Sequence, residues 1–239
     1  MRFASDAPAV AHVFVDGLDD ECVVGGADGH HLARVRRLRV GERVTAADGA
    51  GSWREYDVQR VETGRLVLTA RGEVEKEPHL EPPISLAVAL VKGGLDEVVA
   101  RCTELGVERI EPLRTSRTVV KWDEVKAAHG IARLRSIARE AACQCRRARI
   151  PEITAVQSVA DLAGRPDLLV ADRRGRAASA LPPAPIAGWT VVVGPEGGFA
   201  PDELSALGDP PWLSVGPHVL RAETAPVAAV ASLRGCTNV

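Results

Sequence analysis

The chain has 239 residues, 46% of them hydrophobic, with 30 basic and 32 acidic side chains and a formal net charge of −2. That length suits one large or two small domains, and the composition is that of a core-forming globular protein, which excludes a disordered or fibrous chain. No apolar run approaches the roughly 20 residues that span a bilayer, and residues 1–6 lack the apolar core of a signal peptide, so a cytoplasmic location is expected.

Five cysteines at irregular spacing, Cys22, Cys102, Cys143, Cys145 and Cys236, predict reduced, mostly buried thiols with neither a disulfide framework nor a zinc site. The near-neutral charge leaves any nucleic-acid surface to local segregation of basic residues. Such segregation is present: Arg34, Arg36, Arg37, Arg39 and Arg43 fall together, as do Arg139, Arg146, Arg147 and Arg149, while acids gather in 16–21 and 73–81.

Residues 1–75 alternate short apolar runs (12–15, 42–45, 53–58, 65–69) with glycine turns, the pattern of a compact β-barrel or sandwich. One helix is expected, over 30–38, and it carries the first arginine cluster. That cluster is either a solvated helix face or a phosphate-binding one, where each neutralised phosphate adds affinity without sequence information. Residues 76–83, within a charged, proline-bearing stretch without periodicity, read as a linker.

From Ile84 the pattern becomes α/β. A continuous apolar strand over 84–91 is followed by Leu95, Val98, Val99, Cys102 and Leu105 at helical spacing, then by a strand over 107–113. Such a strand–helix–strand unit implies a parallel pair with a right-handed crossover. Asp123 is placed to cap a long helix whose buried stripe is Ile131, Leu134, Ala138, Ala141 and Cys145, and strands are expected at 153–156, 167–171 and 190–193.

Two loops near the C-terminus organise the rest. Val191-Val-Val193 runs into Gly194-Pro-Glu-Gly-Gly-Phe199, where Gly197-Gly198 permits positive φ, and Pro201-Asp-Glu-Leu204 restarts the chain as a helix. Trp212-Leu-Ser-Val215 then runs into Gly216-Pro217 and Val219-Leu-Arg-Ala-Glu-Thr-Ala225, with Thr224 as cap of an all-round apolar helix over 225–233 that stops at Gly235. A strand, a glycine turn and a helix start make a small-molecule site at the carboxyl end of a sheet. Neither loop is a GxGxxG or GxxxxGK[ST] phosphate loop.

The two loops in this order resemble the S-adenosylmethionine loops of SPOUT-class RNA methyltransferases, and in detail the ribosomal RNA small subunit methyltransferase E family. The likeness extends to 103–107, 117–120 and 140–153 and to the order of the helix, strand and Asp48-Gly49 in 30–49. It implies an N-terminal PUA-like β-barrel over 1–75 that binds RNA, and over 84–239 a SPOUT α/β domain with a C-terminal trefoil knot. It also implies a homodimer and transfer of methyl from S-adenosylmethionine to N3 of a uridine in 16S rRNA, uridine 1498 in the family, with no metal. A 2′-O-ribose RNA methyltransferase and a cofactor-binding RNA chaperone without transfer activity are the alternatives.

By the same resemblance Gly194, Pro195, Glu196, Gly197, Gly198, Val215, Gly216, Leu220, Arg221, Ala222, Thr224 and Ala225 would hold the cofactor. His31, Arg34, Arg36, Arg37, Arg39, Lys92 and Arg117 would hold RNA. Arg147 and Arg221 are candidates to hold the uracil carbonyl as N3 loses its proton, with phosphate contact or ion pairing as the other reading. Glu223 is the candidate base, and it equally suits bracing of a loop or helix terminus. Three positions depart from the family: Arg36 where leucine is common, Cys145 where serine is usual, and Gly94 where a basic residue is frequent.

Overall fold

The computed structural model describes residues 9–237; the segment 1–6, read above for a targeting signal, lies outside them. The chain forms two compact units, one of residues 1–78 with 142–150 and one of residues 79–141 with 151–239.

In the first unit β1 (Ala11–Phe14), β2 (Glu21–Val24), β3 (Arg43–Ala47), β4 (Ser52–Glu62) and β5 (Arg65–Lys76) form one sheet in the order β1-β3-β4-β5-β2. β1 pairs with β3 in parallel and the other pairs are antiparallel. Tyr56 and Val58 on β4 and Leu66 and Leu68 on β5 share one face of the sheet, which packs on a core with Val13, Val24, Leu32 and Val44. A second cluster joins Phe14, Ala47 and Trp53 to Ala142 and Ala148, so 142–150 supplies part of the packing of this unit.

The helix expected over 30–38 is displaced. Helix α1 (Gly26–His30) begins four residues earlier and continues as a π-helical turn over His31–Val35. It ends before Arg37, whose φ of 53° no helix continues. Gly29 shows why the start is early: a Cβ there would stand 2.5 Å from the Val24 carbonyl oxygen, so this turn lies flat on the sheet edge and only glycine fits.

The second unit is an all-parallel sheet of β6 (Ile84–Ala89), β7 (Arg109–Arg114), β8 (Glu152–Ile153), β9 (Gln157–Ser158), β10 (Leu168–Arg176), β11 (Trp189–Val193) and β12 (Trp212–Leu213). Its order is β12-β10-β11-β6-β7-β8, with β9 also on β7. The strands are nearly continuous apolar runs because both faces are covered. Helix α2 (Leu95–Glu104) makes the expected crossover from β6 to its parallel neighbour β7. Helix α3 (Glu124–Cys145) starts at the expected cap, with Lys126 N donating to Asp123 Oδ1 at 2.9 Å. Its buried stripe is Ile131, Leu134, Ala138, Ala141 and Ala142, and Cys145 is only half-buried.

Helices α4 (Pro201–Leu207) and α5 (Thr224–Thr237) complete the unit. α5 takes in Thr224 and runs through Gly235 instead of stopping there. At the amino ends of the strands, Arg165 ties Glu111, Asp167 and Thr190 together at 2.6–2.9 Å. Burial pushes the Asp167 carboxyl up, but hydrogen bonds from Arg165 and Thr190 outweigh it and hold it below its ordinary value.

All five cysteines are reduced thiols; Cys22 and Cys102 are buried, Cys143 and Cys145 half-buried and Cys236 exposed, so burial holds for fewer of them than the sequence suggested. Among the described residues no helix is long and apolar enough to cross a membrane, and no cluster of His, Cys, Asp and Glu is built to hold a metal.

Candidate functional site

Three neighbouring parallel strands, β12, β10 and β11, run to one edge of the sheet, and the outer part of β10 with the chain leaving β11 and β12 lines a cavity of about 390 Å³. β11 delivers Gly194–Phe199, β12 delivers Val215, Gly216 and His218–Leu220, and β10 delivers Val170–Arg174. Parallel strands carry their loops to the same edge, which is why two loops twenty residues apart in sequence meet. Ala222 and Ala225, at the start of α5, close one side.

The first loop is shaped by its glycines. A Cβ on Gly194 would stand 3.1 Å from the Phe199 ring, which folds back beneath the loop into the core. Gly198 has φ +69°, the conformation expected for the Gly197-Gly198 pair, whereas Gly197 is not left-handed. Gly198 N donates to Pro195 O at 2.8 Å and closes the turn. Two contacts then fix the loop to the turn after β7. Arg117 Nη1 donates to Gly197 O at 2.6 Å, and the Glu203 carboxylate accepts from Ala200 N at 2.8 Å and from Ser116 N at 2.7 Å. Glu203 thus acts both as an acid in the first turn of α4 and as a tie across the cavity wall.

Of the expected cofactor residues, Gly194, Pro195, Glu196, Gly197, Gly198, Val215, Gly216, Leu220, Ala222 and Ala225 line the cavity. Arg221 and Thr224 do not; the Arg221 side chain is 86% exposed, with Nη1 3.8 Å from Glu223 Oε1. Gly94 adjoins this segment. With φ +78° and a Cβ that would stand 2.9 Å from that of Glu223, it leaves no room for a larger side chain.

Arg147, expected beside Arg221, does not line the cavity. It lies in the first unit, 8% exposed, with Nε 3.8 Å from Glu77 Oε1, while its carbonyl faces His12 Nε2 at 3.1 Å. The left-handed Arg146, at φ 61°, turns the chain there, so the face of α3 does not extend to residue 147. Arg117 lines the cavity wall, where the sequence suggested an RNA contact; Lys92 is exposed on the loop after β6. His31, Arg34, Arg36, Arg37 and Arg39 are exposed in the first unit, and Arg36 Nη2 donates to Val10 O at 2.8 Å.

Sequence reasoning missed the β10 wall. Asp172, Arg173 and Arg174 stand on a strand that carries no glycine-turn signal where it meets the cavity. Only its position between β11 and β12 reveals it. Asp172 accepts from Arg174 Nε and Nη2 at 2.9 and 3.1 Å, and those bonds hold its carboxyl below its ordinary value.

Residues 78–234 match the RNA methyltransferase domain family, and residues 24–70 match the RNA methyltransferase PUA domain family. The chain is 34% identical to the ribosomal RNA small subunit methyltransferase E of Mycobacterium bovis, over 94% of its own length and 91% of the relative's. Among solved structures it is similar to a methyltransferase of Legionella pneumophila in complex with S-adenosylmethionine, at 27% identity and TM-score 0.77, covering 94% of this chain and 97% of the other. Its fold is also that of a ribosomal RNA small subunit methyltransferase E from Neisseria gonorrhoeae bound to S-adenosylmethionine, at 24% identity and TM-score 0.81, covering 94% and 96%.

Proposed function

Because the chain belongs to the ribosomal RNA small subunit methyltransferase E family, we propose that it transfers the methyl group of S-adenosylmethionine to N3 of a uridine in 16S rRNA during small-subunit maturation. Uridine 1498, the family's target, is the proposed address. The observation that carries this reading is the cavity to which both glycine loops contribute. Its volume lies in the range of small-molecule sites, and its glycine-built walls bring backbone amides and carbonyls to the surface where a bulkier loop would fill the space.

The cofactor, when bound, supplies an already activated methyl on a sulfonium. The protein's task is then alignment, and well-oriented reactants can save about 7–11 kcal/mol of barrier. The backbone of Gly194–Gly198 and of Val215–Leu220 holds and orients the cofactor, with Arg117 and Glu203 fixing the first loop. Glu223, outside the cavity lining beside Arg221, would take the N3 proton as N3 receives the methyl group that the bound cofactor would supply. Arg221, beside that carboxylate, holds the uracil carbonyl on which charge develops. The buried setting of Arg147 supports a structural role for that residue in place of the catalytic one.

The remaining proposals follow the same family membership. The sheet of the first unit closes as a PUA-like barrel whose arginines at 34, 36, 37 and 39 engage RNA phosphates; the C-terminal strands and helices form a trefoil knot; and the protein acts as a cytoplasmic homodimer. For the reaction, the test is to incubate the protein with labelled S-adenosylmethionine and small subunits from a strain lacking the gene, then digest the rRNA to nucleosides. Label in N3-methyluridine is expected. Label in a ribose-methylated nucleoside, or binding without transfer, refutes the reading.

A further inference from the structure

The proposed reaction needs a wall on which the RNA strand rests, and β10 carries a group built for flat rings. Beyond Val170 this strand leaves β11, and residues 172–175 bulge out between Ala171 and Arg176, both of which pair with Leu213 of β12. Arg174 stands on that bulge with its guanidinium carbon 4.7 Å from the centre of the Trp212 ring, close enough to stack. Trp212 is itself half-buried, packed on the core formed by Val170, Val192, Phe199 and Leu207. Gly175 permits the approach: a Cβ there would stand 2.5 Å from the Trp212 backbone, so this segment of β10 lies directly against β12.

The edges of the guanidinium are engaged as well. Arg174 Nε and Nη2 donate to the two oxygens of Asp172 at 2.9 and 3.1 Å, and Arg174 N donates to Oδ1 at 2.9 Å. The charge of Arg174 is therefore paired and its direction set, which makes it a poor phosphate ligand. The guanidinium lies over Trp212, the side chain is still 65% exposed, and Arg174 lines the cavity. Arg173, exposed beside it on the cavity wall, keeps the local field positive.

We propose that the Trp212–Arg174 stack, locked by Asp172, is a nucleobase platform on which a base of the RNA substrate stacks while the target uridine enters the cavity. Single-stranded RNA is recognised in this way, with unstacked bases laid on aromatic rings or arginine planes. The inference rests on the RNA methyltransferase reading above. A flat ring of the cofactor has the same chemistry, and the experiment separates the two.

Wild type, Arg174→Ala, Arg174→Lys and Trp212→Leu are compared for binding to small subunits that lack the modification and, separately, for binding to S-adenosylmethionine. Loss of one stacked base should raise the dissociation constant for the subunit about tenfold in all three variants. Lysine keeps the charge but has no plane, so Arg174→Lys should lose affinity while keeping the wild-type salt dependence. S-adenosylmethionine affinity should stay within about twofold. Full rescue by lysine would mean a phosphate contact and overturn the platform, as would unchanged affinity in Arg174→Ala. A matching loss of cofactor affinity would assign the stack to the cofactor's adenine and equally overturn it. If wild type neither binds nor methylates the subunit, the functional reading itself falls, and the platform with it.

Discussion

Glu203 ties the first glycine loop, proposed above to hold the cofactor, to the turn after β7. The residue is 8% exposed, and its carboxylate accepts two backbone donors, Ala200 N at 2.8 Å and Ser116 N at 2.7 Å, one from the start of its own helix and one from the turn that carries Arg117. Hydrogen bonds to a charged group are worth about 1.5–3 kcal/mol each, and an acid at a helix N-terminus adds about 0.3–1. Ser116 is exposed, so water replaces part of its bond, and Glu203→Ala should cost about 2–4 kcal/mol by the same scale. Glu203→Gln keeps the volume but turns one acceptor into a donor facing an N–H, and should cost about half as much. Urea unfolding followed by near-ultraviolet circular dichroism measures the loss. Calorimetry with S-adenosylmethionine at a urea-free, fully folded temperature measures its consequence, because freeing Ser116–Arg117 should release Gly197 O and weaken cofactor binding about tenfold. Arg117→Ala should give the same affinity loss with little loss of stability, since that side chain is exposed and makes one bond here. A Glu203→Ala protein that is destabilised yet binds cofactor as wild type does would show that the tie supports α4 alone and does not shape the loop.

Arg221→Ala should cut single-turnover methylation by roughly ten- to a thousand-fold, the range for loss of one oxyanion-type donor, with its melting temperature unchanged because the side chain is 86% exposed. Arg147→Ala should instead lower the melting temperature first, as it removes a buried guanidinium from beside Glu77; a stable, slow Arg147→Ala enzyme would restore the catalytic assignment. Replacing Arg34, Arg36 and Arg37 by alanine should weaken RNA binding and reduce the log–log salt slope by about 0.7–0.9 for each phosphate no longer neutralised, with cofactor affinity unaltered. An unchanged slope would make the cluster a solvated face, and the melting temperature must be followed because Arg36 also holds Val10 O. Burial lowers the His12 pKa from 6.5 to about 4, so the ring is neutral when folded and the unfolded chain binds the extra proton between those values. Stability from this group is complete above pH 6.5 and lost as pH falls toward about 4, by roughly 3 kcal/mol at about 1.4 kcal/mol per unit. His12→Gln should flatten urea-midpoint profiles over that window; an equally steep profile would place the acid sensitivity elsewhere.

Local chemistry was legible in the sequence wherever a single segment decides its own conformation. The apolar runs of β6 and β11, the cap at Asp123 and the crossover through α2 follow from periodicity and capping, which act over a few residues. The two glycine loops could be placed at a sheet edge because strand, glycine turn and helix start are consecutive. What needed the tertiary structure is adjacency across the sheet. β10 stands between β11 and β12, an order that no spacing encodes, and it alone brings Asp172, Arg173 and Arg174 to the cavity and lays Arg174 on Trp212. The early start of α1 belongs to the same class, since it is the Val24 carbonyl, not the helix's own sequence, that requires glycine at 29. So does Arg147: its charge and its place after a helix suggested a site residue, while packing of 142–150 on Phe14, Ala47 and Trp53 buries it against Glu77. Side-chain type and spacing specify what a residue can do, but burial and the neighbour across the sheet decide which of those capacities the fold uses.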